Sequence, residues 1–267
     1  MSTKEEKDIV VTKSDEKGKE VEKIEELSME SLFKAGAYFG HKKSRRNPKM
    51  DEFVFMYREG VAIIDLKKTL HQLQDALRFI EETASSGKMI LFSGTKKHIQ
   101  SLVKEKASEV EMPFVNARWL GGTFTNFDAI RSRVRYLIDL EEKLARNDFA
   151  SYTKLERLKK QEEVEKMNEK LGGLRTMTET PGVLFVTDVK EDSLAIKEAK
   201  IARIPVVAIV DTNDDPAGVS CIVPANNDAI SSVRFILNQV VKAIKAGKAR
   251  RTKSPESSKN IQNTNKK

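Results

Sequence analysis

Lys88-Met89-Ile90-Leu91-Phe92-Ser93-Gly94 is an unbroken apolar run stopped by a glycine. It lacks the alternation of a strand with one wet face, so it predicts a strand buried on both faces of a sheet. Before it, Leu70, Leu73, Leu77 and Ile80 recur at helical spacing and predict a helix over 66–85. After it come a second helix, running to about Ser108, and a short strand at Pro113-Phe114-Val115. The strand-then-helix alternation returns late in the chain. Val183 to Thr187 precedes a helix near 193–202, and Val206 to Val210 leads through 211–218 to a short strand at Cys221-Ile222-Val223. A last helix runs from Asp228 to about Ala246, capped by Asn227 and ended by Gly247. Such alternation implies an α/β fold with a doubly wound, mainly parallel sheet and right-handed crossovers. Upstream, the body opens at Ser28 as an N-cap, with Leu32, Phe33 and Tyr38 forming a short amphipathic start. Phe53-Val54-Phe55-Met56 and Val61-Ala62-Ile63-Ile64 read as two strands around a turn at Glu59-Gly60.

Residues 126–171 interrupt this pattern. They hold no proline and no glycine, and Phe127, Ile130, Val134, Leu137 and Leu144 step by three and four, broken by Glu141. Tyr152, Leu155, Leu158, Val164, Met167 and Leu171 continue less regularly after a break near Asn147-Asp148. An antiparallel helical hairpin inserted in the α/β body is expected. The organisation is therefore a charged, disordered leader (1–27), a body (28–125 and 172–247), the hairpin (126–171) and a disordered basic tail (248–267).

The chain has 267 residues, 33% of them charged, and a net charge of +8. That charge is unevenly spread. Residues 1–30 carry ten acids against six cations, whereas 242–267 carry nine cations against one acid. No run of eighteen apolar residues occurs, so no membrane span is expected. The N-terminal residues suit neither a secretory signal nor a transit peptide, and the single cysteine, Cys221, excludes an internal disulfide. A cytoplasmic address is expected.

The densest chemistry lies in Gly40-His-Lys-Lys-Ser-Arg-Arg-Asn-Pro-Lys-Met50. Lys42, Lys43, Arg45, Arg46 and Lys49 stand together, and no acid intervenes before Asp51. Asn47-Pro48 keeps the run out of a helix. An irregular cationic loop repels itself unless a polyanion neutralises it, and a phosphate backbone does so best. A solvated loop without a partner is the alternative. Ser93-Gly94-Thr95-Lys96-Lys97-His98 closes a strand and opens a helix, where backbone N–H groups favour a phosphate. An ordinary capped turn reads equally well. Arg118, Trp119 and Gly121-Gly122-Thr123-Phe124-Thr125-Asn126 offer donors on a permissive loop, with Thr125 or Asn126 as the alternative N-cap of the hairpin. Arg131, Arg133 and Arg135 extend positive charge along the first hairpin helix.

An enzyme's case rests on Asp188, Asp211, Asp214 and Asp215, which follow the ends of predicted strands where open α/β sheets bind ligands. Against it, His41, His71 and His98 are scattered, and no phosphate-binding glycine fingerprint or nucleophile elbow occurs. No catalysis, no cofactor and no protein-held metal are expected, with a structural Mg²⁺ bridging protein and RNA left open.

Several of these stretches occur together in family order. Leu32 through His41, the cationic segment, Arg118 through Phe127, Gly172-Gly173-Leu174, Pro181 through Asp188, Glu198-Ala199, Ile204 through Thr212, Asp215-Pro216 and Ile222 through Ile230 resemble the small-subunit ribosomal protein family numbered two, in its bacterial or organellar form. Val189 stands where the family usually has proline, and the aromatic usual inside the first basic motif is absent. The resemblance implies a flavodoxin-like body with an inserted coiled-coil arm, and a structural, non-catalytic role on the ribosome. It further implies binding to small-subunit rRNA of the 3′ major domain. The partners it implies are neighbouring small-subunit proteins, notably the large multi-OB-fold protein numbered one. The expected RNA-binding residues are His41, Lys42, Lys43, Arg45, Arg46, Asn47, Lys49, Lys96, Lys97, Arg118, Thr123, Thr125, Asn126 and Arg131. A nucleotide or sugar-phosphate enzyme on the same fold, and a free RNA-binding regulator, are the alternatives.

Overall fold

The computed structural model describes residues 27–149 and 151–253. Residues 1–26 of the expected leader fall outside them, as does the tail beyond residue 253.

The central sheet holds five parallel strands in the order β5-β4-β6-β7-β8. They are β4 (Ile90–Ser93), β5 (Phe114–Val115), β6 (Val183–Val186), β7 (Val206–Val210) and β8 (Cys221–Pro224). The continuous apolar runs have the cause inferred from sequence. Alternate residues of each strand enter opposite cores, because side chains change face with period two. Ile90, Phe92, Val183, Phe185, Val207 and Ile209 face one core, together with α2 (Leu66–Ser85), α3 (Gln100–Glu109) and α7 (Ile230–Lys253). Leu91, Leu184, Val186, Val206, Ala208 and Val210 face the other, covered by α4 (Phe127–Ala145) and α6 (Ser193–Ile201). The sheet is thus doubly wound. Burying one branched or aromatic side chain contributes roughly 1.5–3 kcal/mol, so two-sided burial of the central strands dominates the fold.

Ser28 caps α1 (Met29–Lys34) by accepting from Ser31 N at 3.1 Å. A separate antiparallel sheet of order β1-β3-β2 follows, formed by β1 (Phe39–Lys42), β2 (Val54–Arg58) and β3 (Val61–Ile64). The expected turn joins β2 to β3, with Glu59 and Gly60 both at positive φ. Strand β1 was not expected from sequence. Its Phe39-Gly-His-Lys has no apolar alternation, and pairing with β3 alone makes it a strand.

Two boundaries move. The last helix does not end at Gly247 but continues to Lys253. A Cβ at Gly247 would collide with the Glu81 carbonyl oxygen, so this glycine permits the close approach of α7 to α2. Residues 248–253 of the expected disordered tail are therefore helical, held by Lys248 Nζ on the Val110 carbonyl (2.6 Å) and by Arg250 on Glu81 (2.7 Å). At the other end, Asn226 rather than Asn227 receives the backbone N–H groups of residues 228 and 229.

The inserted pair, α4 and α5 (Lys154–Leu171), is present. Its interlocking does not reach the tip. Ile130, Val134 and Leu137 of α4 belong to the second sheet core, whereas Leu155 and Leu158 of α5 are 61% and 50% exposed. The reason lies in α5 itself: KLERLKKQEEVEKMNEKL has too few apolar residues at one-sided spacing to supply a stripe. Its start is fixed locally, by a capping box between Thr153 and Glu156.

Candidate nucleic-acid interface

The cationic segment is not a free loop. Lys42 ends β1, residues 43–45 and 48–53 form two short 3-10 helices, and Met50 and Phe53 are buried beneath them. Asn47 holds the junction. Its side chain accepts from Lys49 N at 3.0 Å, and its backbone N–H donates to the Thr212 carbonyl at 2.8 Å. Gly40 passes so close to Thr212 that a Cβ would lie 2.7 Å from the threonine methyl. His41 N donates to the Thr212 hydroxyl at 2.9 Å. The segment therefore lies across the carboxyl edge of the parallel sheet, where α/β enzymes leave a crevice.

Beneath it sits a network of charge. His41 Nδ1 is 3.2 Å from Asp211 Oδ2, and its Nε2 is 3.2 Å from Asp228 Oδ2. The hydrogen bond to Asp211 raises the imidazole's pKa, outweighing burial. Lys96 reaches Asp188, Asp228 (2.8 Å) and the Asn227 side-chain oxygen (2.9 Å). Burial works against its charge, yet the bonds to Asp188 and Asp228 keep its pKa above the ordinary value. Asn227 in turn donates to Asp214 Oδ2 at 2.8 Å. Burial pushes Asp214 up to about 6 and Asp192, which accepts from Thr95 at 3.0 Å, up to about 7. His41, Asp211 and Asp228 bring one ligand atom each to within 4.8 Å of one another, close enough for the three to share a cation. Of the aspartates of the enzyme alternative, Asp211 is thus paired with His41, Asp188 with Lys96 and Asp215, at the surface, with Lys49, while Asp214 accepts from Asn227.

The expected interface residues divide accordingly. Lys42, Lys43, Arg45, Arg46 and Lys49 are exposed together. Lys43 stands 5.2 Å over the Tyr57 ring, Arg46 is 3.2 Å from Asp51, and Lys49 is 2.9 Å from Asp215. Among the described residues Lys42 and Arg45 form no ion pair, although they line one cavity with Asp211 and Asp228. Lys97 and Arg118 are also exposed, and Arg131 is half-buried. Lys96 points inward, as described, and His41 is held between its two aspartates.

Thr123 is fully buried and donates to the Leu120 carbonyl at 2.6 Å. Thr125 and Asn126 are exposed, and Asn126 stands at the N-cap of α4 without a side-chain cap bond. The backbone donors of this glycine loop are answered from within the protein. Glu198, buried on α6, accepts from Gly122 N at 2.7 Å and from Phe124 N at 3.0 Å, with the Trp119 indole N–H at 3.4 Å. This carboxylate takes backbone donors that the loop was expected to offer to an RNA. The sequence carried a signal: Glu198 stands between Ile196 and Ala199, at the spacing of α6's buried face, where an unpaired acid is costly.

Comparison with known proteins adds a separate line of support. A family model described as Ribosomal protein S2 matches residues 32–247. The small ribosomal subunit protein uS2 of Roseiflexus castenholzii is 47% identical over 225 residues, covering 84% of this chain and 86% of that protein. The protein of the same name from Chloroflexus aggregans is 42% identical over 230 residues, covering 86% of this chain and 97% of its own length.

Proposed function

The chain belongs to the ribosomal protein S2 family, whose members are structural rather than enzymatic, and on that premise we propose that it is a constituent of the small ribosomal subunit that binds rRNA through the Lys42–Lys49 segment. The observation that carries this is the mounting of that segment. Exposed cations on a free loop would lose chain entropy on binding, whereas here the ordering is already done by Asn47, Gly40 and buried Met50. Lys42 and Arg45 are exposed to solvent, at the rim of a cavity they share with His41, Asp211 and Asp228. Contacts of this kind position an RNA backbone without reading its sequence. The ribosome-bound, cytoplasmic setting belongs to the same proposal, as do rRNA of the 3′ major domain as the target and the multi-OB-fold protein numbered one as a recruited neighbour. Among the described residues no helix is long and apolar enough to cross a membrane.

The test is a paired substitution, Lys42→Glu with Arg45→Glu, in a tagged copy followed through sucrose gradients. Both side chains are exposed, so melting should move little. The variant should leave the small-subunit peak, and the salt slope of its RNA binding should fall by about one for each lost phosphate contact. Assembly at wild-type occupancy would remove the segment from the interface.

A further inference from the structure

Three aromatic rings form a ladder on the surface between α1 and β1. Phe33 and Tyr38 stack with centroids 4.7 Å apart and planes 8° from parallel, and Phe39 lies 4.1 Å from Tyr38 at 33°. Phe33 is 58% exposed and Phe39 46%, so the two outer rings stand largely in water. One exposed phenylalanine is ordinary, whereas contiguous exposed rings mark a contact surface.

The ladder is rigidly mounted. Leu32, Ala35 and Ala37 are buried, and Gly36 takes the positive φ that turns the chain between the rings. Ala35 O accepts from the Ser231 hydroxyl at 2.8 Å, Ala37 O from Asn226 N at 3.0 Å, and Tyr38 O from Ile64 N at 2.8 Å. Exposed cations adjoin it in the chain. Lys34 follows Phe33, and Lys42 and Arg45 follow Phe39 along the segment described above.

We propose that the Phe33–Tyr38–Phe39 ladder is a stacking platform for unpaired bases of a single-stranded RNA whose phosphates lie on Lys34, Lys42 and Arg45. The proposal rests on the RNA-binding reading and adds to it a second kind of contact and a single-stranded target. Open aromatic faces beside cations match what an RNA strand offers, one base and one phosphate per nucleotide. A protein docking on the rings would need carboxylates at its rim to pair the same cations, whereas every nucleotide of an RNA brings its own phosphate. A duplex offers stacked bases that cannot reach the rings.

The probe is a twelve-nucleotide single-stranded RNA carrying 2-aminopurine, with the same strand in a duplex as comparison, titrated into the full-length chain. The wild-type protein should prefer the single strand and quench the 2-aminopurine. Phe33→Leu with Phe39→Leu keeps apolar bulk at two exposed sites and should leave melting nearly unchanged. It should bind the single strand roughly tenfold more weakly, lose the quenching and keep the salt slope, because stacking releases no counterions. Wild-type binding without quenching, or a double variant that binds as tightly as wild type, would overturn the platform while leaving cationic RNA binding in place. A variant that loses salt slope along with affinity would overturn it too, since the rings would then only prop the cationic segment. A wild-type protein that binds neither RNA form would overturn the platform together with the RNA-binding proposal.

Discussion

Replacing Glu198 by alanine should be among the most damaging single changes in this protein. The carboxylate accepts two short backbone bonds, from Gly122 (2.7 Å) and Phe124 (3.0 Å), and the Trp119 indole lies at 3.4 Å. A hydrogen bond to a charged group contributes about 1.5–3 kcal/mol, and an orphaned buried donor costs about 1–3 kcal/mol. Water entering the vacated volume offsets part of this, so Glu198→Ala should destabilise by about 3–5 kcal/mol. For a domain of this size that corresponds to a fall in melting temperature of roughly 8–15 °C. Glu198→Gln separates charge from shape. One oxygen can keep the Gly122 bond, but the amide then sets donor against donor at Phe124, and about half the loss should remain. Urea unfolding followed by tryptophan fluorescence is the assay, because Trp119 is the single tryptophan and touches this carboxylate. A loss below about 1 kcal/mol for Glu198→Ala, with unchanged native emission, would refute the view that an internal anion organises the loop.

Two further outcomes follow from the same geometry. Burial raises Asp192 from 3.8 to about 7, so the folded protein binds a proton that the unfolded chain releases; the penalty is absent below 3.8, grows as pH rises and is complete above about 7. Asp192→Asn should therefore stabilise at pH 8 relative to pH 5 and flatten the slope between them in urea titrations, and equal effects at both pH values would show that the carboxyl is not held protonated. Replacing residues 144–158 by a short Gly-Ser turn should leave melting nearly unchanged, whereas removing 135–165 should unfold the protein, since buried Leu137 and Leu140 are each worth about 2–5 kcal/mol. If purified subunits carrying the shorter deletion hold every other protein at its normal level, the hairpin tip docks no partner.

The central strands were legible because their information is local. A run such as Val183-Leu184-Phe185-Val186 has no polar residue to place in water, so it must be buried on both faces whatever surrounds it. The helix over Leu66–Ser85 was legible for the same reason, its apolar side fixed by spacing alone. The hairpin was legible as two helices but not as a packed pair, because whether a sparse stripe finds a partner depends on what lies opposite. The candidate interface divides along the same line. The clustering of Lys42, Lys43, Arg45, Arg46 and Lys49 is a property of the chain, and all five are exposed.

Orientation is not a property of the chain. Lys96 and Thr123 carry the chemistry of surface donors, yet one is turned on to Asp188 and Asp228 and the other on to the Leu120 carbonyl. Gly247 looks like a helix stop and is instead the point where α7 approaches α2. The sequence by itself determined the central strands, the long helices and the clustering of the cations, because hydrophobic period and charge act over a few residues. Only the tertiary structure decided which donors face inward, because Glu198 lies about seventy-five residues from the glycine loop it satisfies. A buried donor takes the acceptor that the fold brings nearest, and chain distance does not enter that choice.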